Sequence, residues 1–330
     1  MQQGLQRARG ARIVGIGDYR PQRVVNNEDV AARTGRNAEW IERRTGIIER
    51  RYASPDETVA DMAVEAVTKA IADAGIQASE LSAVIVASMS VMRHSPGVAP
   101  EVAHRLGSEG GAFDINAACA GYCYALGVAA SMVQAGTADY VAVIGSDKMT
   151  DIIDPADPTV APLFADGAGA MVIGPCEHNE IGPTVSGSDG SKRGLIGHTA
   201  TWLEYRDHPS LPWPTMNMVG SEVFRWVIDR LPAAVRQSAD SARVDLADLE
   251  AFVPHQANLR MTEKLVQLLG LPDSVVVGRD VVTSGNTSTA SIPLAVARLR
   301  ELGTVRSGGR VLLLGFGAGL TWASQVIRMP

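Results

Sequence analysis

The chain has 330 residues, 46% of them hydrophobic and 20% charged, with a formal net charge of −6. That length fits two domains of ordinary size or one large α/β unit, and the acidic balance argues against general nucleic-acid binding, although 26 arginines against 4 lysines supply local phosphate sites. Cys119, Cys123 and Cys176 are an odd number without a CxxC pair or a secretory signal, which indicates a reducing compartment, read here as the cytoplasm.

Residues 1–10, MQQGLQRARG, lack periodicity and read as a flexible tail. ARIVGIGDYR reads as a strand and turn, NNEDVAARTG as an Asn-capped helix, and TVADMAVEAVTKAIADAG as a long amphipathic helix ending at Gly75. LSAVIVASMS, apolar along its length and rich in Val, suits a strand covered on both faces. AFDI then reads as a strand running into a helix, AGYCYALGVAASMVQAG, that ends at Gly136.

Around IGPCEHNEIGPTVSG the pattern is broken by Pro, Gly and polar residues, so the boundary between two α/β halves is placed there, 11–178 and 179–330. The second half continues with a helix over GSEVFRWVIDRLPAAVRQSA, a strand and loop over LEAFVPHQAN and a helix over LRMTEKLVQLLG. RVLLLGFGAGLTWASQVIRM closes the chain as two strands around a glycine turn. Self-similarity between the halves is too weak to establish duplication. The longest apolar runs, such as AVIVASMSVM and VLLLGFGAGL, are shorter than the roughly 20 residues of a membrane helix, which gives no sign of a membrane partner.

Cys119 falls at the strand-to-helix turn, where unpaired N–H groups and the helix dipole stabilise a thiolate. Its other reading is a small buried hydrophobe, the reading that better fits Cys123. His255 follows an apolar strand and a proline, and Asn286 sits in a glycine turn before a helix. Taken singly, these two are a structural histidine and a turn or cap residue.

Taken together, AACAGYCYAL, ADGAGAMV, VPHQANLR, GNTSTASIPLA and GFGAGLTWAS, in this order with RTGI at 44–47, closely resemble β-ketoacyl-acyl carrier protein synthase III of the thiolase superfamily, in its actinobacterial form. The resemblance covers the chain from Ala11 onward. It implies an α/β thiolase-like fold, two similar halves with mixed five-stranded sheets layered α-β-α-β-α, commonly as a homodimer. It also implies Cys119 as the acyl-accepting nucleophile, and His255 and Asn286 as donors to the malonyl thioester carbonyl. Cys119 and Ala318 N–H groups would form the oxyanion hole of the acyl thioester, with Phe316 beside the departing carboxylate. Two preorganised donors in a dry pocket stabilise enolate charge better than reorganising water does.

The same resemblance assigns acyl-CoA and malonyl-acyl carrier protein as substrates, with no metal or other cofactor. EWIERRTGI places Trp40 and Arg44 on the nucleotide of CoA, with Asn258 of HQAN also at the CoA site, while Arg225 and Arg260 match positions that dock the acidic carrier protein. Two departures bear on substrate. Pro158, in IDPADPTVAP, stands where many relatives carry an arginine on the far side of the adenine. Ser95, in SMSVMRHSPGVAP, matches a position where an aromatic residue of the partner subunit closes the acyl pocket of acetyl-specific members, so a primer larger than acetyl is expected. The stretch HTATWLEYRDHPSLPWPTMN is longer and more aromatic than in minimal relatives.

The competing roles are a polyketide-priming ketosynthase and an acyltransferase that acylates an alcohol without condensing. The retained His and Asn disfavour the second. A papain-like hydrolase shares the order Cys, His, Asn but not the local signature around the cysteine. A thiolase would need a second cysteine in the glycine loop, and a silent scaffold would not need all three polar residues.

Overall fold

Each apolar run long enough to cross a sheet forms a strand, and the alternation of side chains along it divides two cores. In a computed structural model, which describes residues 9–330, Ala83, Ile85 and Ala87 face one layer while Val84 and Val86 face another. The strand Leu81–Ala87 is buried on both faces because helices cover both.

Two five-stranded mixed sheets result. In the first, Gly10–Tyr19 pairs antiparallel with Asp166–Cys176, which pairs antiparallel with Tyr140–Lys148. Leu81–Ala87 and Gly111–Ile115 follow in parallel. In the second, Val185–Ser188 pairs antiparallel with Thr321–Arg328, and that strand antiparallel with Arg310–Gly317, followed in parallel by Ala251–Pro254 and Val276–Val277. In chain order the two sheets have the same topology: strand one at an edge, then five, four, two and three. The duplication that sequence similarity left open is therefore visible in the pairing order.

The helices complete five layers. Val59–Ala74 and Ala99–Leu106 cover the outer face of the first sheet, and Gly220–Ser241 and Leu259–Leu269 cover that of the second. Gly121–Gln134 and Ser291–Glu301 lie between the sheets, sharing a core with Ala83, Ile85, Val253 and Leu313. Each fully buried Val, Ile or Leu there stabilises the fold by about 1.5–3 kcal/mol.

Two glycines set how closely the central helices approach. A Cβ on Gly145 would lie 2.5 Å from Thr289 O, and one on Gly315 would lie 3.1 Å from Ala120 Cα. Each half thus receives, against the glycine of its fourth strand, the start of the other half's central helix. Residues 116–121 and 286–291 match one for one: Ala118 and Ser288 both have positive φ and each donates its N–H to the asparagine Oδ1 two residues back, so Cys119 and Thr289 occupy matching positions in the two halves.

Of the tail expected over 1–10, residues 1–8 lie outside the described residues, and the remaining two are already part of the fold. Arg9 donates from Nε to Val133 O at 2.7 Å and pairs with Asp139 at 2.7 Å, and Gly10 opens the first strand. The connection between the sheets runs over 177–184. Among the described residues no helix is long and apolar enough to cross a membrane.

Candidate active site

Cys119 sits two residues before the helix Gly121–Gln134 and is 9% exposed. Ala118, immediately before it, has φ +46, a left-handed conformation that costs a non-glycine residue energy and re-aims the chain into the helix. Gly317 of the glycine loop abuts this turn: a Cβ there would lie 2.7 Å from Cys119 N and 3.0 Å from Cys119 Cβ. Only glycine lets the loop bring Ala318 beside the Cys119 backbone.

Burial pushes the Cys119 thiol up to about 12; a hydrogen bond from Ser288 opposes this, and the charge of Asp147 adds to it. The helix start therefore does not leave a resting thiolate, as its position in the sequence suggests, because desolvation outweighs it. Cys123, one turn further, is fully buried, and its sulfur packs against Gly315.

His255 leaves the end of the strand Ala251–Pro254 and is held by its N–H donating to Leu314 O at 2.7 Å. It is 3% exposed, and burial lowers its pKa to about 3, so the ring is neutral at physiological pH. Nδ1 lies 2.7 Å from Ser291 Oγ, which also accepts the Gln256 N–H at 3.4 Å. Phe316 meets the ring edge to face at 5.1 Å and 76°. Gln256 locks the loop: Nε2 donates to Pro254 O at 2.6 Å and Gly278 O at 3.1 Å, while Oε1 accepts from Val281 N.

Asn286 is pinned through its backbone, donating to Leu163 O and accepting from Ala165 N, both at 2.9 Å. ADGAGAMV thus contributes by anchoring this asparagine. Gly285 before it has φ +69, and a Cβ there would meet Ala165 and Arg50 at 2.8 Å. Asn286 Oδ1 accepts the Ser288 N–H at 2.9 Å, which turns Nδ2 the other way.

Beneath the site lies Asp147, fully buried, which accepts six hydrogen bonds of 2.7–3.0 Å. Four come from Ser88 Oγ, Met89 N and the N and Oγ of Ser90; two come from the N and Oγ of Thr289. This carboxylate ties the loop after the strand Leu81–Ala87 in the first half to the turn after Asn286 in the second. Asp147, Gln256, Ser288 and Ser291 were not singled out from the sequence. The usable signals were the hydroxyl-rich run TSTAS at the head of an otherwise apolar helix and the Gln beside the His.

A cavity of about 680 Å³ joins these parts. Cys119, His255, Asn286, Phe316 and Ala318 all line it, and the first four are buried, so they form its floor. Trp40, Arg44, Asn258, Arg260 and Pro158 line it as well. Arg36, Arg43, Arg44 and Arg260 are exposed and ring the mouth.

Arg36 stacks over Trp40, its guanidinium carbon 4.8 Å from the ring centroid. Asn258 caps the helix Leu259–Leu269 through Oδ1 to Met261 N at 2.9 Å, leaving its Nδ2 for a ligand. Arg260 bonds Arg43 O at 3.0 Å and Glu263 at 3.2 Å.

Two of the expected residues are not brought in. Arg225 is exposed on the helix Gly220–Ser241 outside the lining, although Phe224 and Trp226 beside it are part of that lining. Ser95 is exposed and outside the cavity of its own chain.

Residues 113–190 match the family described as 3-oxoacyl-[acyl-carrier-protein (ACP)] synthase III, and residues 239–329 match its C-terminal counterpart. The β-ketoacyl-[acyl-carrier-protein] synthase III of Streptomyces glaucescens is 47% identical, over 97% of this chain and 96% of its own. The chain belongs to the β-ketoacyl-acyl carrier protein synthase III family.

The mycobacterial synthase III of Mycobacterium tuberculosis is 43% identical, over 97% of both chains. Among solved structures, the priming β-ketosynthase of the R1128 polyketide pathway superposes with a TM-score of 0.96 at 44% identity, covering 98% of this chain and 97% of its own. The synthase III of Pseudomonas aeruginosa superposes at 0.89 with 35% identity, covering 98% and 99%. The thiolase-like architecture and the actinobacterial character of the sequence are both as expected from the motifs.

Proposed function

We propose that the protein transfers the acyl group of an acyl-CoA primer to Cys119 and condenses it with malonyl-acyl carrier protein, giving β-ketoacyl-acyl carrier protein, CoA and carbon dioxide. The observation that carries this reading is the meeting of Cys119, His255 and Asn286 on the floor of one cavity. Cys119 Sγ attacks the primer thioester, and the tetrahedral oxyanion is received by the N–H groups of Cys119 and Ala318. The extender's thioester carbonyl lies between His255 Nε2 and Asn286 Nδ2, whose hydrogen bonds strengthen as decarboxylation places charge on the oxygen. Phe316 keeps the departing carboxylate in apolar surroundings, which favour its loss as neutral carbon dioxide. The enolate carbon then attacks acyl-Cys119. Loss of carbon dioxide supplies the driving force, so the reaction calls for no metal or redox cofactor.

The arginine-ringed mouth suits the phosphates of CoA and the acidic surface of a carrier protein. Trp40 stacks on adenine with the ring face that Arg36 leaves open, Arg44 and Asn258 Nδ2 contact the CoA, and Arg225 and Arg260 receive the carrier protein. We assign the protein to the cytoplasm and to a homodimer joined along Gly111–Ile115, an edge strand with exposed or half-exposed residues throughout, Phe113 at 39% among them. In that assembly Ser95 of one copy faces the acyl end of the other's site. The physiological product is a fatty acid starter. Priming of a polyketide is the second reading, favoured by the likeness to the R1128 ketosynthase.

The test is incubation with a panel of acyl-CoAs followed by intact-mass measurement. A single acyl adduct is expected on the wild type and none on Cys119→Ala. An adduct that persists in the variant overturns the nucleophile assignment. Turnover with fatty-acid and polyketide carrier proteins separates the two readings.

A further inference from the structure

Ser288 stands 3.3 Å from Cys119 through Oγ to Sγ and is fully buried. Among the described residues this is the only hydrogen bond its hydroxyl makes. A buried hydroxyl donates where it has an acceptor, and here that acceptor is the sulfur. We propose that Ser288 is a catalytic residue whose hydroxyl donates to Cys119 Sγ and stabilises the sulfur's negative charge, while its backbone N–H aims the Asn286 amide into the cavity. This rests on the reading of Cys119 as the acyl acceptor.

Three features of the backbone support the assignment. Ser288 has φ +52, one of three non-glycine residues with positive φ among the described residues, and Ala118, next to Cys119, is another. Strain of this kind persists only where neighbours hold it, and it gathers at functional sites. The hold is visible: Thr289 N and Oγ donate to Asp147 Oδ2 at 3.0 and 2.7 Å, and Gly145 admits the Thr289 carbonyl. The same conformation points the Ser288 N–H at Asn286 Oδ1, 2.9 Å away, so one strained residue serves both the sulfur and the enolate donor. Ser288 is also the second-half counterpart of Ala118, and Thr289 that of Cys119, so the serine hydroxyl meets the thiol across the junction of the two central helices.

The need is electrostatic. The sulfur is desolvated, the neighbouring carboxylate Asp147 opposes negative charge, and His255 is neutral, so no cation is at hand. A neutral donor is what remains. In acyl transfer the Cys119 S–C bond forms as the CoA S–C bond breaks, the thiol proton leaves with CoA, and Ser288 keeps its own. In condensation the C–C bond forms as the Cys119 S–C bond breaks, and the released thiolate takes the Ser288 hydrogen bond until solvent reprotonates it.

The test is the rate of Cys119 alkylation by iodoacetamide, located by intact mass, with Cys119→Ala as background. Ser288→Ala is expected to slow alkylation about tenfold across roughly pH 7 to 9, where the protein is folded and the thiolate is the minor form. Ser288→Gly removes the same hydroxyl while suiting the positive φ, so it gives the same readout should the alanine variant fail to fold. An alkylation rate unchanged in a folded Ser288→Ala or Ser288→Gly enzyme overturns the proposal. The alkylation uses no acyl-CoA. A wild type that alkylates at the Ser288-dependent rate yet takes no acyl group overturns the acyl-acceptor reading alone.

Discussion

Replacing Ser291 by alanine tests how His255 is made into a donor. Ser291 Oγ accepts the Gln256 N–H and lies 2.7 Å from His255 Nδ1, with no other partner among the described residues. If the hydroxyl accepted from Nδ1 as well, its own proton would be buried without an acceptor, at a cost of about 1–3 kcal/mol. It therefore donates to Nδ1, and the proton of the neutral ring resides on Nε2, where an enolate oxygen needs it. Ser291→Ala removes that preference, and the tautomer protonated on Nδ1 becomes competitive. Loss of one oxyanion donor costs roughly 100- to 1000-fold in rate, so a partial loss predicts a fall of about 10- to 100-fold. The fall belongs to one half-reaction. Carbon dioxide release from malonyl-acyl carrier protein slows, while acylation of Cys119, followed by intact mass, stays within about threefold. Equal slowing of both halves, or none of either, would refute the assignment of the proton.

Trp40→Ala is expected to raise KM for acyl-CoA about tenfold or more with kcat little changed, since stacking at the mouth binds ground and transition states alike; a drop confined to kcat would contradict the CoA assignment. In competition between acyl-CoAs, branched or medium-length primers are expected to acylate Cys119 ahead of acetyl, and equal or better use of acetyl would count against Ser95 as an open pocket end. Stability against pH turns on the same histidine. His255 has a folded pKa depressed to about 3 against an unfolded value near 6.5, so between those values the unfolded chain binds the extra proton and stability falls as pH falls. On that count wild type loses about 2 kcal/mol between pH 7 and pH 5 relative to His255→Asn, measured by urea unfolding. Asp166, raised to about 6 by burial, acts in the opposite direction and is common to both proteins, so the difference isolates the histidine. A difference near zero would mean the ring is not held neutral by burial.

The layers and the chemical residues were legible in the sequence for different reasons. Strands such as LSAVIVA and helices such as VADMAVEAVTKAIADA announce themselves because burial on two faces or one writes a period into the chain. Cys119, His255 and Asn286 were legible through the motifs around them. The conditions under which they act were not. Nothing in AACAGYCYAL says that burial will raise the thiol rather than that the helix start will lower it, because the chain that covers it comes from nearly two hundred positions away, at Gly317 of the glycine loop. Asp147 lies at the end of the strand Tyr140–Lys148, and its six donors come from two loops that only the tertiary fold brings together. Ser95 gave the converse case: its place in the motif was readable, but its distance from the cavity of its own chain was not.

The repeated topology explains why the site is built as it is. Two like halves joined face to face bring equivalent helix starts together, and a symmetric pair of nucleophiles there would oppose each other's ionisation. The second half carries Thr289 at the place of Cys119, with its hydroxyl bonded to Asp147 and Ala87 O, and Ser288 just before it donates to Cys119. The remaining asymmetry follows. The first half spends its loop after the second strand, Ser88 to Ser90, on Asp147, whereas the second half uses the equivalent position after Ala251–Pro254 to present His255. Asp147 bonds the Thr289 that positions Ser288, so it acts on Asn286 and Cys119 through the turn and touches neither reacting centre. One half thus furnishes Cys119 and the brace, the other furnishes His255, Asn286 and Ser288, and the cavity is lined by residues of both.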